Sequence, residues 1–401
     1  MKNISKRAET MQASPIRKLI PYANAARKRG MTVFPLNIGQ PDIHTPEPVR
    51  EAIKNFDQKV IAYSPSPGED YLLEAFSQYY RHNDIALDSS DIIVTTGGSE
   101  AIFFAFLSIC DPGDEIIVFE PFYTNYNGMA HQTGVVLRPV ITYAEDGFQL
   151  PSMDVIEKAI NKKTRGILIC NPNNPTGTVY ERQSLEALVK LACKHNIYLL
   201  ADEVYREFTY DGLKHTSILH IPGTEQCAIL LDSVSKRYSA CGARIGVVAS
   251  KNKEVIGACL KFAQARLSAP TVEQWASRAG ILMDPSYFAP ILAEYQLRRD
   301  TVMEGFAKMP GVLCKVPCGA FYVIAKLPIK NAEKFAVWLL TDFDYEGKTV
   351  LVAPAAGFYA TPGLGQNEIR ISYVLEVEKL KAAMTALGEG IKKYAEIEKG
   401  N

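Results

Sequence analysis

The chain reads as an α/β protein, with a large domain built on a mostly parallel sheet flanked by helices and a smaller α+β domain beside it. Three observations predict this. Between about residues 90 and 250, short apolar runs alternate with longer helical patterns. Most of those runs are continuous rather than alternating in polarity, as strands covered on both faces should be. At 401 residues, 47% of them hydrophobic, the chain has material for more than one core.

The elements follow in order. The N-terminal stretch "MKNISKRAETMQAS" is basic, but no apolar segment follows it, so it does not read as a signal peptide. The most continuous apolar run, "AIFFAFLSIC" from Ala101 to Cys110, is too short to span a bilayer. A cytoplasmic protein is the expectation. The strand candidates are "DIIVTT", "DEIIVF", "GVVLRPV", "GILIC", "IYLLA", "AILLD" and "IGVVAS", with helical stretches such as Glu181 to Lys194 between some of them. That alternation predicts parallel strands joined by right-handed crossovers. Beyond roughly residue 285 come a long helical stretch, strand candidates "GVLCKV", "GAFYVIAKL", "TVLVA" and "NEIRISYV", and a final amphipathic helix from about Glu376 to Lys393. The boundaries expected are 46–285 for the large domain, and 1–45 with 286–401 for the small one.

Charge and cysteines narrow the function. Basic and acidic residues number 44 each, which gives no electrostatic reason to expect nucleic acid or an anionic membrane as partner. Of the eight cysteines only Cys314 and Cys318 are close in sequence, and a CxxxC with no second pair and no nearby histidine makes a poor zinc site. Reduced thiols and no metal are expected.

In open α/β sheets, ligands bind beyond the carboxyl ends of the strands. The polar residues there can be read together. "IIVTT" leads into Gly97-Gly98-Ser99-Glu100 at the start of an apolar helical segment, where free N–H groups suit a phosphate. "GILIC" leads into "NPNNPTG", which presents Asn174, and "IYLLA" leads to Asp202 and Tyr205. "AILLD" leads to Ser233 and Lys236, with Arg244 following. Taken singly, each is equally a helix cap, a turn or a surface charge.

Taken together, they resemble the fold-type I pyridoxal-phosphate enzymes, specifically the class I/II aminotransferase family. The matching motifs are "GGSEA", "EPFY", "NPNNPTG", "ADEVY", "SVSK", "GARIG" and "NEIRISY", in the family's order and over nearly the whole chain. Within the family the sequence looks most like bacterial aspartate aminotransferases and their aromatic and alanine-using relatives. The resemblance implies pyridoxal 5′-phosphate as cofactor and small-molecule amino acids and 2-oxo acids as substrates. It implies that Lys236 forms the Schiff base and carries the proton, and that Asp202 pairs with the pyridine nitrogen. Tyr205 and Asn174 would hydrogen-bond the phenolic oxygen, and Tyr123 would stack on the ring. The phosphate would lie on the backbone of Gly98, Ser99 and Glu100, the Ser233 hydroxyl and the Arg244 guanidinium. Tyr63 would reach the neighbouring subunit's phosphate, which implies a homodimer.

The substrate α-carboxylate would fall to Arg370, helped by the Gly39 N–H. In "EIRIS" strand alternation puts Arg370 on the face opposite Ile369 and Ile371. For the substrate side chain, Arg266 is the first choice to meet an acidic donor such as aspartate or glutamate, with Arg17 and Lys18 next. Other readings keep the fold: an aromatic- or alanine-specific aminotransferase, or a C–S lyase acting by β-elimination. A non-catalytic amino-acid sensor would need an added DNA-binding domain, for which the sequence offers no basic segment.

Overall fold

The computed structural model describes residues 4–400. Strand β1 (Thr32–Pro35) stands apart from the next seven. These are β2 (Ile92–Thr96), β3 (Glu115–Glu120), β4 (Val136–Ile141), β5 (Thr164–Cys170), β6 (Tyr198–Asp202), β7 (Ala228–Ser233) and β8 (Ile245–Ala249). They form one sheet in the order β2-β8-β7-β6-β5-β3-β4. Each expected run of the large sheet is a strand of it.

The continuous apolar pattern has its cause in this sheet. Along β3, Ile116 and Val118 enter the core under the helices Gly97–Ile109 and Lys253–Arg266, while Ile117 and Phe119 enter the opposite core under Arg182–His195. Successive side chains point to opposite faces, and both faces are covered.

The sheet is parallel except at β8, which runs antiparallel to both β2 and β7. Only residues 234–244 connect β7 to β8, fewer than a parallel crossover requires. The connection is therefore a tight return, not a crossover helix. It carries Lys236.

The C-terminal part adds β9 (Tyr322–Lys326), β10 (Lys348–Leu351), β11 (Ala353–Pro354) and β12 (Glu368–Ser372). Three of these form an antiparallel sheet in the order β11-β12-β9, with β12 at its centre, while β10 pairs in parallel with β1 and so ties the N-terminal segment to this part. Their shared core lies against the helices Phe288–Ala307, Ala332–Thr341 and Val377–Gly400.

Two expectations shift. "GVLCKV" is not a strand but a single bridge between Leu313 and Lys326. Pro310 and Pro317 flank it and remove ladder donors, which confines it to an edge contact. The final helix runs on to Gly400, because no proline interrupts it.

Candidate active site

A cavity of about 540 Å³ opens at the carboxyl ends of β5, β6 and β7 and is closed on its other side by β9 and β12. The tight return after β7 forms its floor. Ser233 caps the single turn Val234–Arg237, its hydroxyl accepting from the Ser235 N–H at 3.1 Å and donating to the Ile245 carbonyl at 2.9 Å. Beneath the turn, the fully buried Arg237 guanidinium donates to both Asp232 oxygens, at 3.0 and 2.8 Å. Both bonds come from Nη2, while Nε donates to Glu207 at 2.7 Å, so the charge pairs tie the turn to the end of β7. Lys236 projects the other way, into the cavity. Its Nζ donates to the Gly39 carbonyl at 2.8 Å and lies 3.6 Å from Cys241 Sγ.

One end of the cavity is built for an anion. The helix Gly97–Ile109 starts there, and the N–H groups of its first turn lack intrahelical partners. Gly97 has φ +75, and a Cβ on it would overlap the Arg244 guanidinium. A Cβ on Gly246 would lie 2.6 Å from the Gly97 carbonyl carbon and 2.7 Å from the Gly98 nitrogen, so only glycine lets these backbones approach. Gly98, Ser99, Ser233 and Arg244 all face the cavity. Arg244 is oriented by the carbonyls of Cys241 at 3.0 Å and Thr96 at 3.4 Å. The Glu100 side chain turns away, accepting from the Thr96 N–H at 2.7 Å.

Deeper in, Asp202 closes β6. Burial pushes its carboxyl up to about 6, although the Tyr126 hydroxyl, donating at 2.7 Å, works the other way. Burial holds the Tyr126 phenol well above its ordinary value, so it stays a donor. A carboxyl in this condition suits a protonated ring nitrogen, which would restore its charge. Tyr123 stands on the wall, edge to face with Tyr126 at 5.5 Å. The Tyr205 hydroxyl is 3.5 Å from Asn174 Nδ2 and 2.9 Å from the Tyr322 hydroxyl.

At the other end, Arg370 on β12 is 2% exposed. Its guanidinium lies over the rings of Tyr322 at 4.5 Å and Phe358 at 4.9 Å, and donates to Asn174 Oδ1 at 3.1 Å and to the Asn37 carbonyl. Among the described residues it meets no carboxylate, and its Nε is without a partner. A buried guanidinium with no anion fits an incoming carboxylate. Gly39 is a glycine for space: a Cβ would overlap the Tyr322 phenol. A helix start with an arginine, a buried acid and an unpaired buried arginine thus surround one lysine. They match the phosphate and ring nitrogen of pyridoxal phosphate and the carboxylate of an amino acid.

Three expected residues lie elsewhere. Arg266 is not on the cavity wall, which corrects its choice as reader of the substrate side chain. It ends its helix behind Gly97–Ile109, where it donates to the Val94 carbonyl at 3.1 Å, faces Glu100 at 3.5 Å and covers the Phe104 ring. Lys18 pairs with Glu333 at 2.6 Å, outside the cavity. Tyr63 is 80% exposed and does not line this cavity. Arg17, by contrast, lines the wall. Sequence reasoning missed Tyr126 and Tyr322. The first could have been found, since it follows Tyr123 by one helical turn in "EPFYTNYNG".

The family described as "Aminotransferase class I and II" matches residues 31–387. An aspartate/prephenate aminotransferase of Thermus thermophilus is 33% identical over 393 residues, covering 96% of this chain and 97% of the relative. An aspartate aminotransferase of Thermotoga maritima is 34% identical over 385 residues, covering 95% and 97%. The solved structure of Thermus thermophilus aspartate aminotransferase with maleate superimposes with a TM-score of 0.89 at 31% identity, covering 97% of this chain and all of that one.

Proposed function

The chain belongs to the class I and II aminotransferases, and from that premise we propose that its cavity binds pyridoxal 5′-phosphate and transfers an amino group between aspartate or glutamate and a 2-oxo acid. When bound, pyridoxal phosphate supplies an aldehyde carbon that takes up the amino group and a ring that draws electrons from the substrate α-carbon. The rest is the work of the chain. Arg244, the Ser233 hydroxyl and the backbone of Gly98, Ser99 and Glu100 hold the phosphate. Asp202 holds the proton of the ring nitrogen, and Tyr126 fixes the carboxylate's orientation. Asn174 and Tyr205 donate to the phenolic oxygen, and Tyr123 packs on the ring face.

Arg370, with the Gly39 N–H, grips the substrate α-carboxylate. That grip would turn the α-hydrogen toward Lys236, whose Nζ would take it up as a proton and deliver it to the carbon that receives the amino group. The Gly39 carbonyl keeps Nζ at this position.

One observation carries the reading: a buried acid and an unpaired buried arginine flank the same lysine in one cavity. The preference for acidic donors draws support from the aspartate named for both relatives above. The test is a half-reaction screen. Protein loaded with pyridoxal phosphate is mixed with each amino acid while the cofactor absorbance is followed. Aspartate and glutamate should change it fastest; no change with any amino acid would refute the proposal.

The protein acts as a homodimer in this reading. Tyr63 would complete the partner's phosphate site, and the exposed Val60 and Ile61 beside it would be covered by the second subunit. No described helix is long and apolar enough to cross a membrane. A cytoplasmic setting accords with eight unpaired cysteines.

A further inference from the structure

Five charged side chains line the cavity: Arg17, Asp202, Lys236, Arg244 and Arg370. The function proposed above employs four of them. Arg244 answers the phosphate, Asp202 the ring nitrogen, Arg370 the α-carboxylate, and Lys236 carries the proton. Arg17 is left over, a permanent cation facing a ligand site whose other charges are already matched. Among the described residues it makes no side-chain hydrogen bond or ion pair, although its neighbour Lys18 is paired.

The backbone that carries Arg17 is anchored by its neighbours. Pro15 packs so closely on Gly357 that a Cβ there would come within 2.5 Å of it. Ile16 joins the cluster of Ala355, Phe358 and Tyr359, and Leu19 is buried in the C-terminal core. Phe358 is the same ring that lies under Arg370. The segment bearing Arg17 is thereby tied to the ring that packs against Arg370.

We propose that Arg17 is the specificity-determining residue, binding the far carboxylate of a dicarboxylic amino acid whose α-carboxylate rests on Arg370. The inference rests on the function proposed above. Ile16, Ile38 and Ile102 also line the cavity, so without Arg17 the wall suits an apolar side chain. Arg17 is exposed rather than buried, which makes its contribution that of a charge-assisted hydrogen bond and sensitive to salt.

The experiment uses the pyridoxal-phosphate-loaded protein with Arg17→Ala and Arg17→Lys. The ratio of kcat/KM for aspartate to that for alanine should fall about 10- to 100-fold in Arg17→Ala. Arg17→Lys should recover part of it. Calorimetry with succinate and propionate gives a readout independent of turnover. Succinate binding should weaken by a similar factor in Arg17→Ala, propionate binding should not, and added salt should narrow the wild-type difference. Equal losses for aspartate and alanine, unchanged succinate binding, or a wild type that prefers alanine or phenylalanine to aspartate would each overturn the inference. A wild type that transaminates nothing would instead defeat the function itself, and the succinate measurement would still decide the role of Arg17.

Discussion

Asp202 is held in a state that the fold alone disfavours. Its carboxyl sits at about 6, above the ordinary value of 3.8, because burial penalises the charge. Folding of the cofactor-free protein therefore takes up a proton between about pH 4 and 6. This group's contribution is fully present below pH 4 and lost as pH rises through 6. Asp202→Asn removes that dependence. In denaturant melts without cofactor the variant should be more stable than wild type by up to about 3 kcal/mol at pH 8, and nearly equal at pH 4. With pyridoxal phosphate the order should reverse, and kcat should fall roughly 100-fold or more. A variant less stable than wild type at pH 8 without cofactor would contradict this account. That Asp202, Lys236 and Arg370 share one cavity was legible only from the motifs read as a set, since each alone reads equally as a cap, a turn or a surface charge. Tyr322 was not, since a tyrosine within "GAFYVIAKL" looks like any strand aromatic until its partner across the cavity is known.

Among the elements, the helix start at Gly97 is constrained twice over. Its φ of +75 and the adjacent Arg244 guanidinium both exclude a side chain. Gly97→Ala should cost about 1–2 kcal/mol in backbone strain and weaken pyridoxal phosphate binding roughly tenfold or more by displacing Arg244. Gly113 provides the control, with φ +95 but open space around it. Gly113→Ala should show the strain without the loss of affinity, and equal cofactor binding by both variants would remove Arg244 displacement as the cause. The central strands were legible because burial on both faces leaves a local signature in the residues themselves. Partnership was not. Pairing of β1 with β10 joins residues about 300 apart, and no local pattern reports it. The reversed direction of β8 follows from a short connection, which the sequence shows only once both strand ends are known.

For the whole molecule, the proposed dimer would cover the exposed Val60, Ile61 and Tyr63. Ile61→Asp should shift the protein toward monomer in analytical ultracentrifugation, and cofactor affinity should fall with it if the partner's Tyr63 completes each phosphate site. An unchanged dimer with this charge in place would move the interface elsewhere. Charge at this scale is balanced, 44 basic against 44 acidic residues, so selection of an anionic substrate has to be local to the cavity. All of this depends on Lys236 being the residue that meets the cofactor. Reducing the pyridoxal-phosphate-loaded protein with borohydride and mapping its peptides by mass spectrometry tests that directly. The pyridoxyl group should be found on Lys236; its absence there, or its attachment to a different lysine, would contradict the account.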